Sequence, residues 1–225
     1  MSSECSLGEM PKEKMRNLCR TTKFGKAGIK QGGIGSGKST VSSILQERGL
    51  LILDADEISR SVTGPNGRAM PEIAEVFGKK VVSANGALNR RVMSDIAFTD
   101  KKKLDDLSTI IHKHVFEHID ETLAKEKEKG TKCVVLDVPI PVNKFRELCN
   151  QIWVVTCDTD VRLARLQKRG MDKSEAERRI AVQMTDDEYC ELGNYSIDNS
   201  WDLEDLKEKV EVLIREQLYE RGIRI

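Results

Sequence analysis

Hydrophobic positions in this chain form short continuous runs separated by stretches of helical spacing. The runs cover residues 50–53, 133–136 and 152–155. Continuous apolar runs of this length are typical of strands that are buried on both faces of a parallel sheet. Because helical patterns lie between the runs, the chain predicts an α/β fold with helices on both faces of a parallel sheet.

Helical spacing is clearest in three segments. Residues 39–48 predict a short helix, and residues 101–129 predict an amphipathic helix or a broken pair of helices. Residues 203–218 predict a C-terminal helix that packs on the core. The segment 59–129 is too long for a simple crossover between two strands, so we expect an inserted helical subdomain there.

The first 24 residues carry no apolar stretch of the kind found in secretory signals. We expect an N-terminal arm over 1–24 that is disordered or loosely attached. An organellar transit peptide is the weaker alternative, because Glu4, Glu9 and Glu13 interrupt the basic residues of this arm.

Residues 32–39 read Gly-Gly-Ile-Gly-Ser-Gly-Lys-Ser, which matches the phosphate-binding pattern G-x-x-x-x-G-K-[ST] in full. Glycines allow the backbone to curl so that successive N–H groups face a di- or triphosphate. In such a loop Lys38 would contact the β- and γ-phosphates, and the Ser39 hydroxyl would bind Mg²⁺. The nucleotide-binding residues predicted here are Gly33, Ile34, Gly35, Ser36, Gly37, Lys38, Ser39 and Thr40.

A flexible Gly/Ser loop is the alternative interpretation of this segment. A chance match to the pattern is expected in about one chain in a hundred of this length. The helical pattern that follows at once, and the carboxylate-ended run after it, favour the phosphate loop. We therefore expect a nucleoside triphosphate as ligand, and a Lys38 side chain that faces solvent.

Two carboxylates, Asp54 and Asp56, follow the run at 50–53. Ligands of open α/β sheets bind beyond the carboxyl ends of the strands. A carboxylate there can accept the proton of an acceptor hydroxyl or hold Mg²⁺ through water. The alternative is that Asp56 caps the next helix. We favour the functional role.

Three arginines, Arg162, Arg165 and Arg169, are spaced three and four residues apart, which places them on one helical stripe. Arginines beside a phosphate loop can neutralise transition-state charge or clamp the nucleotide. For any one of them a salt-bridged exposed face is an equal alternative. We interpret the stretch around them as a mobile lid, in which Ser174 and Glu177 have the spacing of a capping box.

Histidines and cysteines give no metal signal. His114 and His118 have the spacing of a metal pair, but no Cys or carboxylate cluster completes a site, so we favour packing roles and expect no structural zinc. The six cysteines include no C-x-x-C pair, which indicates reduced thiols in the cytoplasm rather than a disulfide framework.

Charge and hydropathy narrow the range of partners. Lys and Arg together number 37, as do Asp and Glu, so the net charge is zero and gives no support for a nucleic-acid partner. No apolar run approaches the length of a membrane span. We expect small-molecule substrates, a cytoplasmic location, no membrane or nucleic-acid partner, and a monomer or weak homo-oligomer.

In their order and spacing, these motifs resemble the dephospho-CoA kinase family. The resemblance rests on the phosphate loop, Leu53-Asp54-Ala55-Asp56-Glu57-Ile58, Phe77-Gly78, Gly86-Ala87-Leu88-Asn89-Arg90, the His112 region, Asp137-Val138-Pro139, Arg165 to Arg169, Arg179-Ile180 with Gln183, and Ile197-Asp198-Asn199. It covers roughly residues 28–215, which is nearly the whole chain apart from the arm.

The resemblance implies a three-layer P-loop kinase fold with a parallel sheet, a helical substrate-binding insertion and a lid. Within a kinase domain at 25–225, the expected parts are a core (25–58, 130–160 and 190–225), an acceptor-binding insertion (59–129) and a lid (161–189).

The same resemblance implies that ATP, with Mg²⁺, phosphorylates the ribose 3′-hydroxyl of dephospho-CoA in the last step of CoA synthesis. It makes Asp56 the base and Lys38 the phosphate clamp. Arg169 or Arg165 would be the lid arginine. The acceptor side would include Asp54, Arg90, His112 and Pro139.

Two of the departures from the family pattern concern the first strand and the acceptor side. Lys30 occupies an apolar position of the first strand, predicted at 27–31, so we expect a shortened strand or a lysine that turns outward. Residues 139–143 lack a carboxylate that is expected near the acceptor. Two alternatives therefore stay open: a kinase for another small hydroxyl acceptor, and a catalytically weak nucleotide-binding regulator.

Overall fold

The computed structural model describes residues 25–138 and 148–225, and for 25–31 and 97–99 it describes the backbone alone. The predicted arm at 1–24 and the segment 139–143, with Pro139, lie outside the described residues.

Five strands form one sheet in this part of the chain. They are β1 (Gly25–Gln31), β2 (Leu51–Asp54), β3 (Cys133–Asp137), β4 (Ile152–Thr156) and β5 (Tyr195–Asp198). Their order is β2-β3-β1-β4-β5, and the pairs β1–β3, β1–β4 and β4–β5 are parallel. The predicted α/β class is confirmed. Strand β1, which leads into the phosphate-loop sequence, lies in the centre of the sheet.

Strand β1 begins two residues earlier than the predicted 27–31. It pairs with β4 through residues 29–31, and its register against β3 shifts between Lys26 and Ile29. The shortening that we expected of this strand is therefore not found. The direction of the Lys30 side chain, which was the other expectation, lies outside the described residues.

The described residues form nine α-helices and two 3₁₀ turns. The helices are α1 (Lys38–Glu47), α2 (Ala55–Val62), α3 (Met70–Phe77), α4 (Arg90–Thr99), α5 (Lys101–Glu128), α6 (Thr159–Lys168), α7 (Lys173–Ala181), α8 (Asp186–Leu192) and α9 (Leu203–Gln217), and the turns are Lys79–Val81 and Tyr219–Arg221. Helix α5 is a single helix of 28 residues, so the alternative of a broken pair is wrong. In the described ranges, no helix combines the length and apolarity that a membrane span requires.

The chain divides into two compact units. Among the described residues, the first comprises 25–53, 130–138 and 148–225 and holds the sheet apart from the last residue of β2. The second is the helical segment Asp54–Lys129. In the second unit, α2, α3 and α4 pack against α5. There Arg68 donates two hydrogen bonds to the Glu121 carboxylate, at 3.0 and 3.1 Å.

The core of the first unit lies where helices cover the sheet. Helix α9 packs on α1 and on β5, as the apolar pattern at 203–218 predicts. Leu45, Val155, Ile197 and Ile214 are all fully buried in this cluster. Each such side chain contributes about 1.5–3 kcal/mol relative to an exposed position, so this cluster holds the strands that carry the phosphate loop.

Helix caps after α6 differ from the sequence prediction. The N-cap of α7 is Asp172, whose carboxylate accepts the Ser174 N–H at 3.0 Å, so the capping box predicted at Ser174 and Glu177 is wrong. A capping box occurs instead at the start of α8, where Thr185 and Glu188 bond to each other's backbone N–H groups. Both helices therefore begin at satisfied caps.

Candidate active site

The phosphate-loop sequence forms the connection between β1 and α1. Gly35 (φ 78°) and Gly37 (φ 92°) adopt left-handed conformations that favour glycine. Gly37 is the N-cap of α1 and offers no side-chain cap to the first N–H groups of the helix. Helix N-termini attract phosphate, because their N–H groups and the helix dipole both favour negative charge.

Lys38 folds back on this loop. Its Nζ donates hydrogen bonds to the carbonyl oxygens of Gly32, at 2.6 Å, and Gly33, at 3.0 Å. The residue is half-buried. The expectation that Lys38 faces solvent is therefore wrong, because loop carbonyls hold the ammonium on the loop itself.

Side chains of α6 and of Asn199, the residue after β5, donate hydrogen bonds to backbone carbonyls of the loop. Asn199 donates from Nδ2 to the Ser36 carbonyl at 2.7 Å. Arg165 donates to the Asn199 carbonyl at 3.0 Å and to the Ser36 carbonyl at 3.5 Å. Arg162 is buried and donates to the Ile34 carbonyl at 2.9 Å. For these two arginines the alternative of an exposed, salt-bridged face is wrong.

Arg169 lies in a different environment. It is the exposed C-cap of α6, and its backbone N–H bonds to the carbonyls of Arg165 and Leu166 at 3.3 and 3.1 Å. The three arginines of the predicted stripe therefore divide into two that contact the phosphate loop and one at the surface.

Two residues that Arg165 contacts, Ser36 and Cys157, carry buried polar side-chain atoms. The Ser36 hydroxyl has no hydrogen-bond partner within the described residues. The Cys157 thiol donates to the Asn199 carbonyl at 3.2 Å and accepts from Arg165 at 3.3 Å. Burial raises the pKa of the Cys157 thiol, although the Arg165 charge acts in the opposite direction. Cys157 therefore stays a protonated thiol at neutral pH rather than a nucleophile.

A further polar contact joins α1 to β3. The Ser42 hydroxyl donates to Oδ2 of Asp137, the last residue of β3, at 2.8 Å. Ser39 lies one turn earlier on α1 and is exposed. A hydroxyl and a carboxylate, oxygen ligands that Mg²⁺ prefers, thus lie on two elements in contact with each other.

Asp54 and Asp56 have different surroundings. Asp54 ends β2 and caps α2, because its Oδ1 accepts the N–H groups of Asp56 at 2.8 Å and Glu57 at 3.0 Å. The alternative that Asp56 caps this helix is therefore wrong. Asp56 lies in the first turn of α2 and is exposed.

The helical unit contains an open pocket of about 340 Å³ beside Arg90. Its largely apolar lining consists of Leu88, Arg90, Met93, Ser94, Leu104, Leu107 and Ile111. Arg90 is exposed and donates a hydrogen bond to the Thr63 hydroxyl at 3.2 Å. The pocket thus combines an apolar wall with one cation.

His112 is exposed on α5 and directly precedes a charged cluster in the sequence. In that cluster the His114 ring lies 2.9 Å from Glu72 and 3.0 Å from Glu117, and Lys113 donates to Glu72 at 3.0 Å. Lys113 and His114 hold the pKa of Glu72 below its ordinary value. In the ranges that the structure describes, no group of three or more His, Cys, Asp or Glu side chains is arranged to hold a metal ion.

Comparison with known proteins adds an independent observation. The family model described as dephospho-CoA kinase matches residues 28–205 of this chain. The chain belongs to the dephospho-CoA kinase family.

Curated relatives agree with this assignment. A dephospho-CoA kinase of Corynebacterium glutamicum is 35% identical over 187 residues, which cover 82% of this chain and 96% of that protein. A dephospho-CoA kinase of Carboxydothermus hydrogenoformans is 36% identical over 186 residues, which cover 82% and 90% respectively.

Solved structures show the same fold. TT1252 from Thermus thermophilus has a TM-score of 0.71 at 26% identity, with 87% of this chain and 98% of that chain covered. The dephospho-CoA kinase from Campylobacter jejuni has a TM-score of 0.64 at 20% identity, with 85% and 97% covered, a likeness that concerns the fold alone. The predicted P-loop kinase fold is confirmed.

The residues that this family resemblance suggested fall into both units. The phosphate loop and Arg165 meet in the first unit, whereas Asp54, Asp56, Arg90 and His112 belong to the helical unit. His112 makes no contact with Arg90 that the structure records. Pro139 lies outside the described residues.

Sequence reasoning assigned no role to Asn199, Asp137 or Gln183. Asn199 follows β5 and Asp137 ends β3, so their positions at strand ends were a usable signal. Gln183 accepts the Ile34 N–H at 2.7 Å from the turn between α7 and α8. The family motif with Arg179 and Ile180 pointed to Gln183, but not to this contact with the loop.

Proposed function

We propose that this chain transfers the γ-phosphoryl group of ATP to the ribose 3′-hydroxyl of dephospho-CoA, which yields CoA and ADP. One observation carries the proposal: this chain belongs to the dephospho-CoA kinase family and has a complete phosphate loop, whose Ser36 carbonyl accepts hydrogen bonds from Arg165 and Asn199. ATP and dephospho-CoA are the substrates, and the reduced thiols at the described cysteines suit a cytoplasmic location.

On the nucleotide side, the loop supplies N–H donors and a positive charge. The Lys38 ammonium would exchange the carbonyls of Gly32 and Gly33 for oxygens of the β- and γ-phosphates. Arg165 would stabilise charge on the transferred phosphoryl group from beside Ser36. Arg169, the exposed C-cap of α6, is the alternative candidate for the lid arginine.

The residues present fit a magnesium ion that accompanies ATP. Ser39 offers a hydroxyl at the start of α1, and Asp137 offers a carboxylate that Ser42 orients. This is the pairing of hydroxyl and strand-end carboxylate with which phosphate-loop enzymes hold Mg²⁺. Bound there, Mg²⁺ would neutralise charge on the phosphates.

Asp56 is the proposed general base. Its carboxylate is exposed and is not used as the cap of α2, so it is available to take the proton of the attacking hydroxyl. Proton transfer of this kind contributes about 10²–10⁴ in rate. Asp54 is committed to the cap through Oδ1, and we assign it to the acceptor side.

The helical unit is the proposed acceptor side. Arg90 presents a guanidinium beside the apolar pocket, which suits a substrate with both an anionic diphosphate and a neutral arm. His112 on α5 is assigned to the same side, as is Pro139, which lies outside the described residues.

An ATP-consumption assay with and without dephospho-CoA tests the proposal. ADP release that depends on dephospho-CoA, with CoA identified by mass, supports it. ADP release only with other hydroxyl acceptors points to a different small-molecule kinase, for which the altered segment 139–143 is the motive. Nucleotide binding without turnover points to a regulatory protein.

A further inference from the structure

Arg162 is a buried cation whose contacts are not explained by phosphate binding. Its side chain is 4% exposed. Burial of an unpaired guanidinium would be costly, so its partners must satisfy it. They are the Ile34 carbonyl, at 2.9 Å from Nε, the Gln183 Oε1, at 3.4 Å from Nη2, and the Asp186 Oδ1, at 3.6 Å from Nη1.

Both backbone groups of Ile34 are held by side chains from distant parts of the sequence. Its N–H donates to Gln183 Oε1 at 2.7 Å, and its carbonyl accepts from Arg162. Ile34 lies between two glycines, where the backbone is conformationally free unless something fixes it. These two bonds therefore fix the middle of the phosphate loop.

Gly33 leaves the space that this arrangement needs. A Cβ added at Gly33 would collide with the Arg162 guanidinium. The guanidinium thus lies directly on the loop backbone, and a side chain at position 33 would displace it.

The contacts continue from the loop into the segment after α7. Asp186, the first residue of α8, accepts the Cys157 N–H at 3.0 Å through Oδ2. Its Oδ1 is buried and has no hydrogen bond in the described part of the chain, with Arg162 as its ion-pair partner. Arg162, Gln183 and Asp186, the Arg162 cluster, therefore join the loop, the end of β4 and the start of α8.

We propose that Arg162 is a positioning residue, which fixes the phosphate loop in its binding conformation and couples that conformation to the segment from Gln183 to Asp186. It does not act on the phosphates, because its guanidinium is turned to Ile34, Gln183 and Asp186. The inference rests on the proposed function only in that the loop binds a nucleotide.

The first test needs no nucleotide. In the Arg162→Lys and Gln183→Ala variants, amide hydrogen exchange at Ile34 should accelerate by at least about tenfold, because a side chain that holds the loop is lost. The single ammonium of a lysine cannot contact all three partners of the planar Arg162 guanidinium. Leu166→Ala is the matched control for destabilisation, since Leu166 is a buried apolar residue of the same helix that the loop contacts do not involve. Its Ile34 exchange should stay near that of the wild type.

The second test measures the affinity for nucleotide and the rate of turnover. Arg162→Lys should raise both the Kd for Mg·ATP, measured by titration calorimetry, and the KM for ATP by about tenfold, because the loop must then be ordered on binding. The kcat should stay within about threefold of the wild type, because the reacting atoms are untouched. Arg178→Lys, an exposed arginine of α7, is the control for the same chemical change.

Unchanged Ile34 exchange and an ATP affinity within twofold of the wild type in Arg162→Lys overturn the inference and leave Arg162 as a structural ion pair. A wild-type chain that fails to bind Mg·ATP overturns the proposed function instead, and the exchange comparison then still decides whether Arg162 fixes the loop.

Discussion

The Ser42 hydroxyl donates to the Asp137 carboxylate at 2.8 Å, across 95 residues of sequence. The bond joins the second turn of α1 to the carboxyl end of β3, next to the strand that delivers the phosphate loop. It orients the Asp137 carboxylate, which in the proposed function would hold Mg²⁺ through a bound water.

We therefore expect Asp137→Asn to raise the Mg²⁺ concentration for half-maximal activity by about 10–100-fold, the range for loss of a partner that orients a metal site. The amide keeps an oxygen for the Ser42 hydroxyl, so the fold should persist. Titration of Mg²⁺ at saturating ATP measures the effect, with Ser42→Ala as the control that removes the hydroxyl donor and keeps the carboxylate. An unchanged Mg²⁺ requirement in Asp137→Asn would show that the carboxylate is structural.

Lys38→Ala should lower kcat/KM for ATP by about 10²–10³-fold, the cost of losing one donor to a developing charge. Lys38 donates to the carbonyls of Gly32 and Gly33, within the loop itself, so the melting temperature should change by no more than a few degrees. Steady-state kinetics and a melting curve check this, with the exposed Lys132→Ala as control. Near-normal turnover in folded Lys38→Ala would refute the phosphate-loop assignment.

Asp54 and Asp56 can be separated, because only Asp54 caps α2. Asp56→Asn should lower kcat by about 10²–10⁴-fold with little change in stability, since it removes the proton acceptor. Asp54→Ala should lower the free energy of unfolding by about 1 kcal/mol, whereas Asp54→Asn should keep the cap. Denaturant unfolding and kcat, measured for all three, give the comparison. If kcat survives in Asp56→Asn but is lost in Asp54→Asn, the base is Asp54.

This division of roles shows where sequence reasoning reaches its limit. The apolar runs predicted β2, β3 and β4, since burial on both faces leaves a clear pattern. The cap was misassigned, because Asp54 and Asp56 are two residues apart and sequence alone does not show which turn begins the helix. The arginine stripe likewise predicted one face, but burial of Arg162 and Arg165 depends on where the loop lies against α6.

Asp198 should contribute to stability in a pH-dependent way. Burial acts to raise the pKa of Asp198, but the hydrogen bond from Ser200 and the Lys209 charge outweigh it, so the folded pKa lies below 3.8. A lowered folded pKa means that the stabilisation is present above about pH 4 and is lost as the pH falls through the folded pKa. The melting temperature of the wild type should therefore fall more than that of Asp198→Asn between about pH 6 and about pH 3. The lower pH lies roughly one unit below the ordinary pKa of an aspartate. The exposed Asp120→Asn should follow the wild type; an Asp198→Asn profile parallel to the wild type would count against the assignment.

The last prediction concerns the central strand. Lys30 pairs in register with Asp137 on β3 and Trp153 on β4, so its backbone is fully part of the sheet, two residues before the phosphate loop. An ammonium carried on a central strand must be buried or must extend to solvent, and both cost stability relative to an apolar side chain. Lys30→Ile should therefore raise the melting temperature by at least about 2 °C, the shift expected for about 1 kcal/mol in a domain of this size. Amide exchange across 25–31 should slow in the same variant, while Lys26→Ile, on the other side of the register shift, should have a smaller effect. The prediction fails if Lys30→Ile is no more stable than the wild type and amide exchange is slow in both. The irregular register, and not the charge of the lysine, would then set the stability of this strand.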